Sequence, residues 1–151
     1  MKLKSALLAA GAMLLVSGWA SADLPGQHPY YLHALSDLRS ARWMLQHRAG
    51  GAGVSANEDV AVTEINKAIG AIKNAAIDDG KNIDDHVNVD VPNDNRGRLH
   101  KALELLNKVH SDVAREEDDP VTRQLRDRAV AHIDAARDAT KGALAAAAAG
   151  Q

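Results

Sequence analysis

Four polar residues fall on faces of the chain that are otherwise apolar, and their side chains are the ones best suited to chemistry. They are Arg42, Glu64, His110 and His132, each within or beside the apolar stripe of a predicted helix. Carboxylate and imidazole groups are metal ligands, and both also accept hydrogen bonds from a guanidinium. These residue types therefore indicate either a satisfied polar layer or a site for a metal ion or small ligand.

Antiparallel pairing of consecutive helices would bring these four residues to one level of the fold. Arg42 would face Glu64, and Glu64 would face His110, with His132 within about one helical turn. A charge in an aliphatic core needs a partner, so we expect a buried polar layer in which Arg42 pairs with Glu64. The alternative is a metal or small-ligand site of Glu64, His110 and His132. The fixed positive charge of Arg42 argues against a metal ion, because it would repel the cation.

A second group of polar residues lies in an acidic stretch at residues 77–95. It contains Asp84, Asp85 and His86, whose oxygen and nitrogen atoms are suitable ligands for a divalent cation. The spacing does not fit an EF-hand, because no glycine occupies the sixth place after a leading aspartate. We expect a solvated acidic loop, with a weak metal site as the alternative.

The elements that must position these residues are helices. Four segments have helix signals, at about residues 29–49, 56–79, 96–118 and 120–149. Pro29 and Pro120 suit a first helical turn, and Ser55 with Glu58 forms a capping-box pattern. The alternating stretch at residues 86–92 has no partner strand, so it is expected to be an extended loop. The predicted fold is an all-α, antiparallel up-down four-helix bundle.

The predicted core is aliphatic and rich in alanine, since the chain has no Phe and Trp43 is the one Trp after residue 22. Positions at helical spacing predict the buried faces. These positions are Tyr31, Ala34, Leu35, Leu38, Ala41, Leu45, Ala61, Ile65, Ala68, Ile69, Ile72, Ala76, Leu99, Ala102, Leu103, Leu106, Val109, Val113, Val121, Leu125, Ala129, Ile133, Ala136 and Ala143. His33 and His47 are expected to point outward, and Met44 to lie off the stripe.

The amino-terminal segment has the pattern of a secretory signal peptide. Lys2 and Lys4 precede an apolar run at residues 6–16, and Ala20-Ser21-Ala22 matches a cleavage site. We expect cleavage after Ala22, leaving one helical domain at residues 23–149. An uncleaved anchor is the alternative, but the apolar run is short for a membrane span. The predicted location is the periplasm or outside the cell, without stable membrane insertion after cleavage.

Composition and missing motifs exclude several classes of function. The net charge is −2, and loss of the two signal-peptide lysines makes it −4, which disfavours nucleic acid as a partner. The chain has no Cys, which excludes thiolate metal sites and c-type haem attachment. There is also no Glu-x-x-His pair, H-E-x-x-H, P-loop or G-x-S-x-G.

Three stretches carry a resemblance to other proteins. These are "HPYYLHALSDLRSARWML", "EINKAIGAIKNAAIDDGKNIDDH" and "GRLHKALELLNKVHSDV". In this order they resemble a group of small secreted bacterial helical proteins of uncharacterised function. The resemblance implies a secreted helical protein, and it carries no activity, cofactor or site residue.

The sequence as a whole predicts a non-enzymatic binding or envelope protein without a cofactor. Its partner would be a protein or a small ligand of the cell envelope. The alternative is a bundle that binds a divalent metal ion or a small ligand through its mid-bundle His and Glu residues.

Overall fold

Four helices make up almost all of the chain that can be described. The computed structural model describes residues 29–47, 53–78, 92–115 and 120–150. The helices are α1 (Pro29–Gln46), α2 (Ala56–Asp78), α3 (Asn95–Arg115) and α4 (Pro120–Ala148). No strand occurs in the described ranges. The predicted all-α four-helix bundle is confirmed, and the helix bounds lie within three residues of the expected ones.

The helices pack in a ring whose order differs from their order along the chain. α1 packs against α2 and α3, and α4 packs against the same two helices. The most extensive interface is that between α2 and α4. The order around the bundle is therefore α1, α2, α4, α3, which leaves α2 and α3 on a diagonal.

All helices in contact run antiparallel. At each interface, two contacts show the direction, because the residue number rises on one helix while it falls on the other. Between α3 and α1 these contacts are Arg98–Met44 and Lys108–Asp37. Between α2 and α4 they are Asn57–Gly142 and Glu64–His132, and between α3 and α4 they are Asn107–Arg137 and His110–Asp134. These contacts fix α1 against α3, α2 against α4, and α3 against α4, so α1 and α2 are also antiparallel. The antiparallel packing predicted from the sequence is thus present at every interface.

α2 and α3 point in the same direction, so the antiparallel α2–α3 pair expected from the sequence is not formed. Asp78 at the end of α2 and Asn95 at the start of α3 lie at opposite ends of the bundle. The sixteen residues between them can span about 50 Å when extended, which exceeds the length of α2 at about 1.5 Å per residue. The connection is therefore long enough for the one-crossover bundle topology.

The predicted apolar stripes form the core. Most of the predicted positions are buried, while Ile69, Leu103 and Leu125 are half-buried. Met44 and Leu105 are also buried, which corrects the expectation that Met44 lies off the stripe. α1 contacts two helices at once, so its buried face is wider than one stripe. The side chains of Ala76 and Val121 lie outside the described set.

Local caps set the starts of α2 and α3. The Glu58 carboxylate accepts a hydrogen bond from the Ser55 backbone N–H at 2.7 Å, and the Ser55 hydroxyl accepts one from the Glu58 N–H at 3.3 Å. This is the predicted capping box. The Asp94 carboxylate accepts from the Gly97 N–H at 2.6 Å and caps α3 in the same way.

Some predictions fall on residues that the structure does not describe. The signal peptide at residues 1–22 and the acidic residues Asp84, Asp85 and His86 lie outside the described residues. None of the described helices combines the length and the apolar character needed to cross a membrane.

Candidate functional site

A hydrogen bond between Glu64 and His132 joins α2 to α4 near the middle of the bundle. His132 Nδ1 lies 2.7 Å from Glu64 Oε2. The Glu64 side chain is 16% exposed and the His132 side chain is 33% exposed, so the hydrogen bond is partly buried. A carboxylate only accepts hydrogen bonds, so Nδ1 carries the hydrogen and His132 is the donor. Sequence reasoning had placed both residues at this level, and the structure brings them together.

The Glu64 carboxylate has a partner on each of its oxygens. Lys67 Nζ donates to Oε1 at 2.7 Å, while Oε2 accepts from His132. The hydrogen bond from Lys67, followed by the one from His132, holds the pKa of Glu64 below its ordinary value of 4.5. Glu64 therefore remains ionised at neutral pH, and it fixes the orientation of the His132 ring.

The lowered pKa of Glu64 predicts a pH-dependent contribution to folding. A carboxyl group whose pKa is lower in the folded state stabilises the fold above its unfolded pKa. That stability is lost as the pH falls through the folded-state value. We expect Glu64→Gln to lower the free energy of unfolding at pH 7, and we expect its difference from the wild type to become smaller as the pH falls toward 3, as measured by urea denaturation across this range.

Glu104→Gln is the control for this prediction, because it makes the same charge change on another helix. Glu104 pairs with Lys101 at 3.0 Å, but its side chain is 69% exposed. Exposed pairs contribute little, so this variant should stay close to the wild type at both pH values. If Glu64→Gln lowers the free energy of unfolding by the same amount at pH 7 and at pH 3, the ionic role of Glu64 is contradicted.

A cleft of about 260 Å³ opens beside this hydrogen bond, between α2 and α4. We call it the α2–α4 cleft. Its lining residues are Lys67, Gly70, Ala71, Leu125, Arg128 and His132. Each helix contributes apolar or small residues together with nitrogen-bearing side chains. The cleft is open to solvent, and its polar lining consists of Lys67, Arg128 and His132.

Gly70 forms part of the α2 wall of this cleft. A Cβ added at Gly70 would meet no atom within 4 Å, so packing does not require a glycine there. A glycine inside a helix costs about 1 kcal/mol relative to alanine. Two other helical glycines have close neighbours, since a Cβ at Gly97 would come within 2.7 Å of Asp94 and one at Gly142 within 3.0 Å of Asn57. Gly70 is exposed, and no close contact in the structure accounts for a glycine at this position.

The other two residues of the expected polar layer lie elsewhere. Arg42 is half-buried and donates to Asn66 Oδ1 at 2.8 Å, so the expected pairing with Glu64 is not formed. Lys67 and His132 already occupy both oxygens of that carboxylate. Arg42 thus stabilises the α1–α2 interface through a neutral amide.

His110 is separated from Glu64 by the arrangement of the helices. Its Nε2 lies 3.5 Å from Asp134 Oδ1, which also accepts from Arg137 at 2.7 Å. α4 lies between α2 and α3, so His132 faces α2 while Asp134 faces α3. The three residues of the alternative metal site therefore do not converge. Within the described ranges, no group of three or more His, Cys, Asp or Glu side chains is placed to hold a metal ion.

The remaining histidines of the described chain are on the surface. His33, His47 and His100 are exposed, and the outward position of the first two was predicted. His47 stacks on Trp43 with ring centroids 4.4 Å apart, and its Nδ1 lies 2.9 Å from the Trp43 carbonyl oxygen. This contact lies at the end of α1.

Sequence reasoning missed Lys67, Gly70 and Arg128, although a signal for them exists. Lys67 follows Glu64 by three residues, and Gly70 follows Lys67 by three. Arg128 precedes His132 by four, so each set occupies one face of its helix. What the sequence lacked was the knowledge that α2 and α4 are neighbours.

Comparisons with protein-family models, with curated proteins and with solved structures found no match. The function proposed below therefore depends on the geometry of the chain itself.

Proposed function

We propose that this protein is a non-enzymatic binding protein of the periplasm or the extracellular space, and that it holds a small molecule in the α2–α4 cleft. The observation that carries this proposal is Gly70, a helix-interior glycine that leaves open space beside the Glu64–His132 hydrogen bond. The proposal retains the secreted location expected from the signal-peptide pattern of residues 1–22.

The chemistry of the lining supports binding rather than catalysis. Among the described residues that line the cleft, none has a hydroxyl or thiol that could act as a nucleophile. A carboxylate–imidazole pair can serve as a general base, but it needs a reacting group held beside it. The pair instead presents a fixed imidazole edge to a small cavity, which suits recognition.

Filling the cleft should remove the bound molecule without unfolding the protein. We expect wild-type protein, purified gently from cells that express it, to carry a bound small molecule visible by native mass spectrometry. Gly70→Leu should lose this mass, because the new side chain enters the cleft. Its thermal midpoint should not fall, since leucine is the better helix former and its Cβ meets open space.

Ala114→Leu is the matched control, because it adds a leucine to an exposed position of α3. This variant should keep the bound molecule. Retention of the same mass by folded Gly70→Leu would place the ligand outside the cleft, and a wild-type protein without any bound mass would count against the proposal.

A further inference from the structure

The polar groups that line the α2–α4 cleft offer more donors than the protein itself uses. Arg128 is exposed, and its Nε donates to the Gln124 carbonyl oxygen at 3.3 Å. Among the described residues, its Nη1 and Nη2 have no hydrogen-bond partner. Lys67 uses one of its three N–H groups on Glu64. The cleft therefore presents a guanidinium edge and an ammonium group that are ready for an acceptor.

The charge balance of the cleft favours an anion. Lys67 and Arg128 each bring a positive charge, while Glu64 brings one negative charge that is already engaged with Lys67 and His132. A guanidinium donates two parallel hydrogen bonds to the two oxygens of a carboxylate or phosphate, so recognition depends on the shape of the anion as well as on its charge. A cation would be repelled by the same groups.

The imidazole of His132 adds a second requirement. Its Nδ1 donates to Glu64, so in the neutral ring Nε2 carries a lone pair and accepts a hydrogen bond. No described residue donates to Nε2, and His132 is part of the cleft lining. A ligand that fits this edge must supply an O–H or N–H group near its anionic end.

We infer that the α2–α4 cleft binds a small oxyanion that carries its own hydroxyl group. Arg128 and Lys67 bind the anionic oxygens, and His132 Nε2 accepts from the hydroxyl. Hydrogen phosphate and a short hydroxycarboxylate share this chemistry. The inference rests on the proposed function, because it names the class of molecule that the cleft would hold.

Matched pairs of probes separate charge from the hydroxyl group. Hydrogen phosphate and sulfate are dianions of similar shape, and only the phosphate carries O–H. Glycolate and acetate differ in the same way, and acetamide is a neutral analogue of acetate. By isothermal titration calorimetry at pH 8.5, we expect phosphate to bind about fivefold tighter than sulfate, and glycolate about fivefold tighter than acetate. Acetamide should not bind.

Two variants assign these preferences to residues. Arg128→Gln should lower the affinity for each of the anions at least about tenfold. His132→Asn keeps an N–H group for Glu64 but removes Nε2. It should therefore abolish the preference for phosphate over sulfate and for glycolate over acetate, and it should leave the affinities for sulfate and acetate unchanged. Arg96→Gln makes the same charge change as Arg128→Gln at an exposed position of α3, and it should bind as the wild type does.

Each contrary result has a definite meaning. Equal affinity for phosphate and sulfate, and for glycolate and acetate, would overturn the role of His132. Unchanged anion binding in Arg128→Gln, or acetamide binding as tightly as acetate, would overturn the oxyanion assignment. Should no oxyanion bind while Gly70→Leu still removes a co-purified molecule, the inference fails and the proposed function stands.

If phosphate is preferred to sulfate but glycolate is not preferred to acetate, the ligand is a phosphate, and the reverse result indicates a hydroxycarboxylate.

Discussion

Arg98→Met should lower the free energy of unfolding by about 3 kcal/mol. Arg98 is 5% exposed, and its Nη2 donates to the Met44 carbonyl oxygen at 2.7 Å. Met44 belongs to the last turn of α1, where carbonyl groups lack partners within the helix and a positive charge is favourable. Methionine retains the aliphatic volume but removes the guanidinium. Urea denaturation at pH 7 measures the difference.

Arg96→Met provides the comparison, because Arg96 lies two residues away in the same turn of α3 and is exposed. Its replacement should change the unfolding free energy by less than about 0.5 kcal/mol. Equal losses in the two variants would show that Arg98 does not connect α3 to the end of α1.

Ile65→Ala should cost about 2 to 4 kcal/mol, because it leaves a cavity in the middle of the core. Ile65 is fully buried and follows Glu64 directly. The core combines leucines and isoleucines with alanines, and α2 contributes two of these alanines. Such helices are already close together, so the structure can relax little to fill the space. Thermal and urea unfolding both report this loss.

Val60→Ala is the control in the same helix. Val60 is 51% exposed, so shortening it opens no cavity and should cost less than about 0.5 kcal/mol. A loss at Ile65 as small as that at Val60 would mean that α2 is not packed as described.

The buried faces could be predicted because they depend on local periodicity. A residue such as Leu38 or Leu106 is buried whichever helix lies opposite, since it is part of an apolar stripe. The capping box at Ser55 and Glu58 depends on four consecutive residues, and it forms as expected. These features need no knowledge of the arrangement of the helices.

The partners across the bundle could not be predicted, because they depend on which helices are neighbours. Treating α2 and α3 as a hairpin placed His110 beside Glu64, whereas the two helices are diagonal and His110 contacts Asp134 instead. The level of each residue was nearly right, and Glu64 does meet His132. The sequence of a helical bundle predicts the level of a residue along the bundle axis better than it predicts which neighbouring helix the residue contacts.

Arg98 was missed for a related reason. An arginine in the first turn of a helix usually lies in solvent, and its neighbour Arg96 does so. Arg98 is buried because the end of α1 lies against it, and Met44 is buried at the same place. Neither residue has a sequence signal, since their contact joins positions 54 residues apart.

The central claim is that the α2–α4 cleft binds a small oxyanion, and the most direct test is a map of amide chemical shifts during a phosphate titration. The prediction is that saturable changes in the two-dimensional NMR spectrum cluster at residues 64–71 of α2 and 125–132 of α4, and that they vanish in Gly70→Leu. Changes that centre on the exposed His100 or on the Trp43–His47 stack, or that persist in folded Gly70→Leu, would contradict the claim.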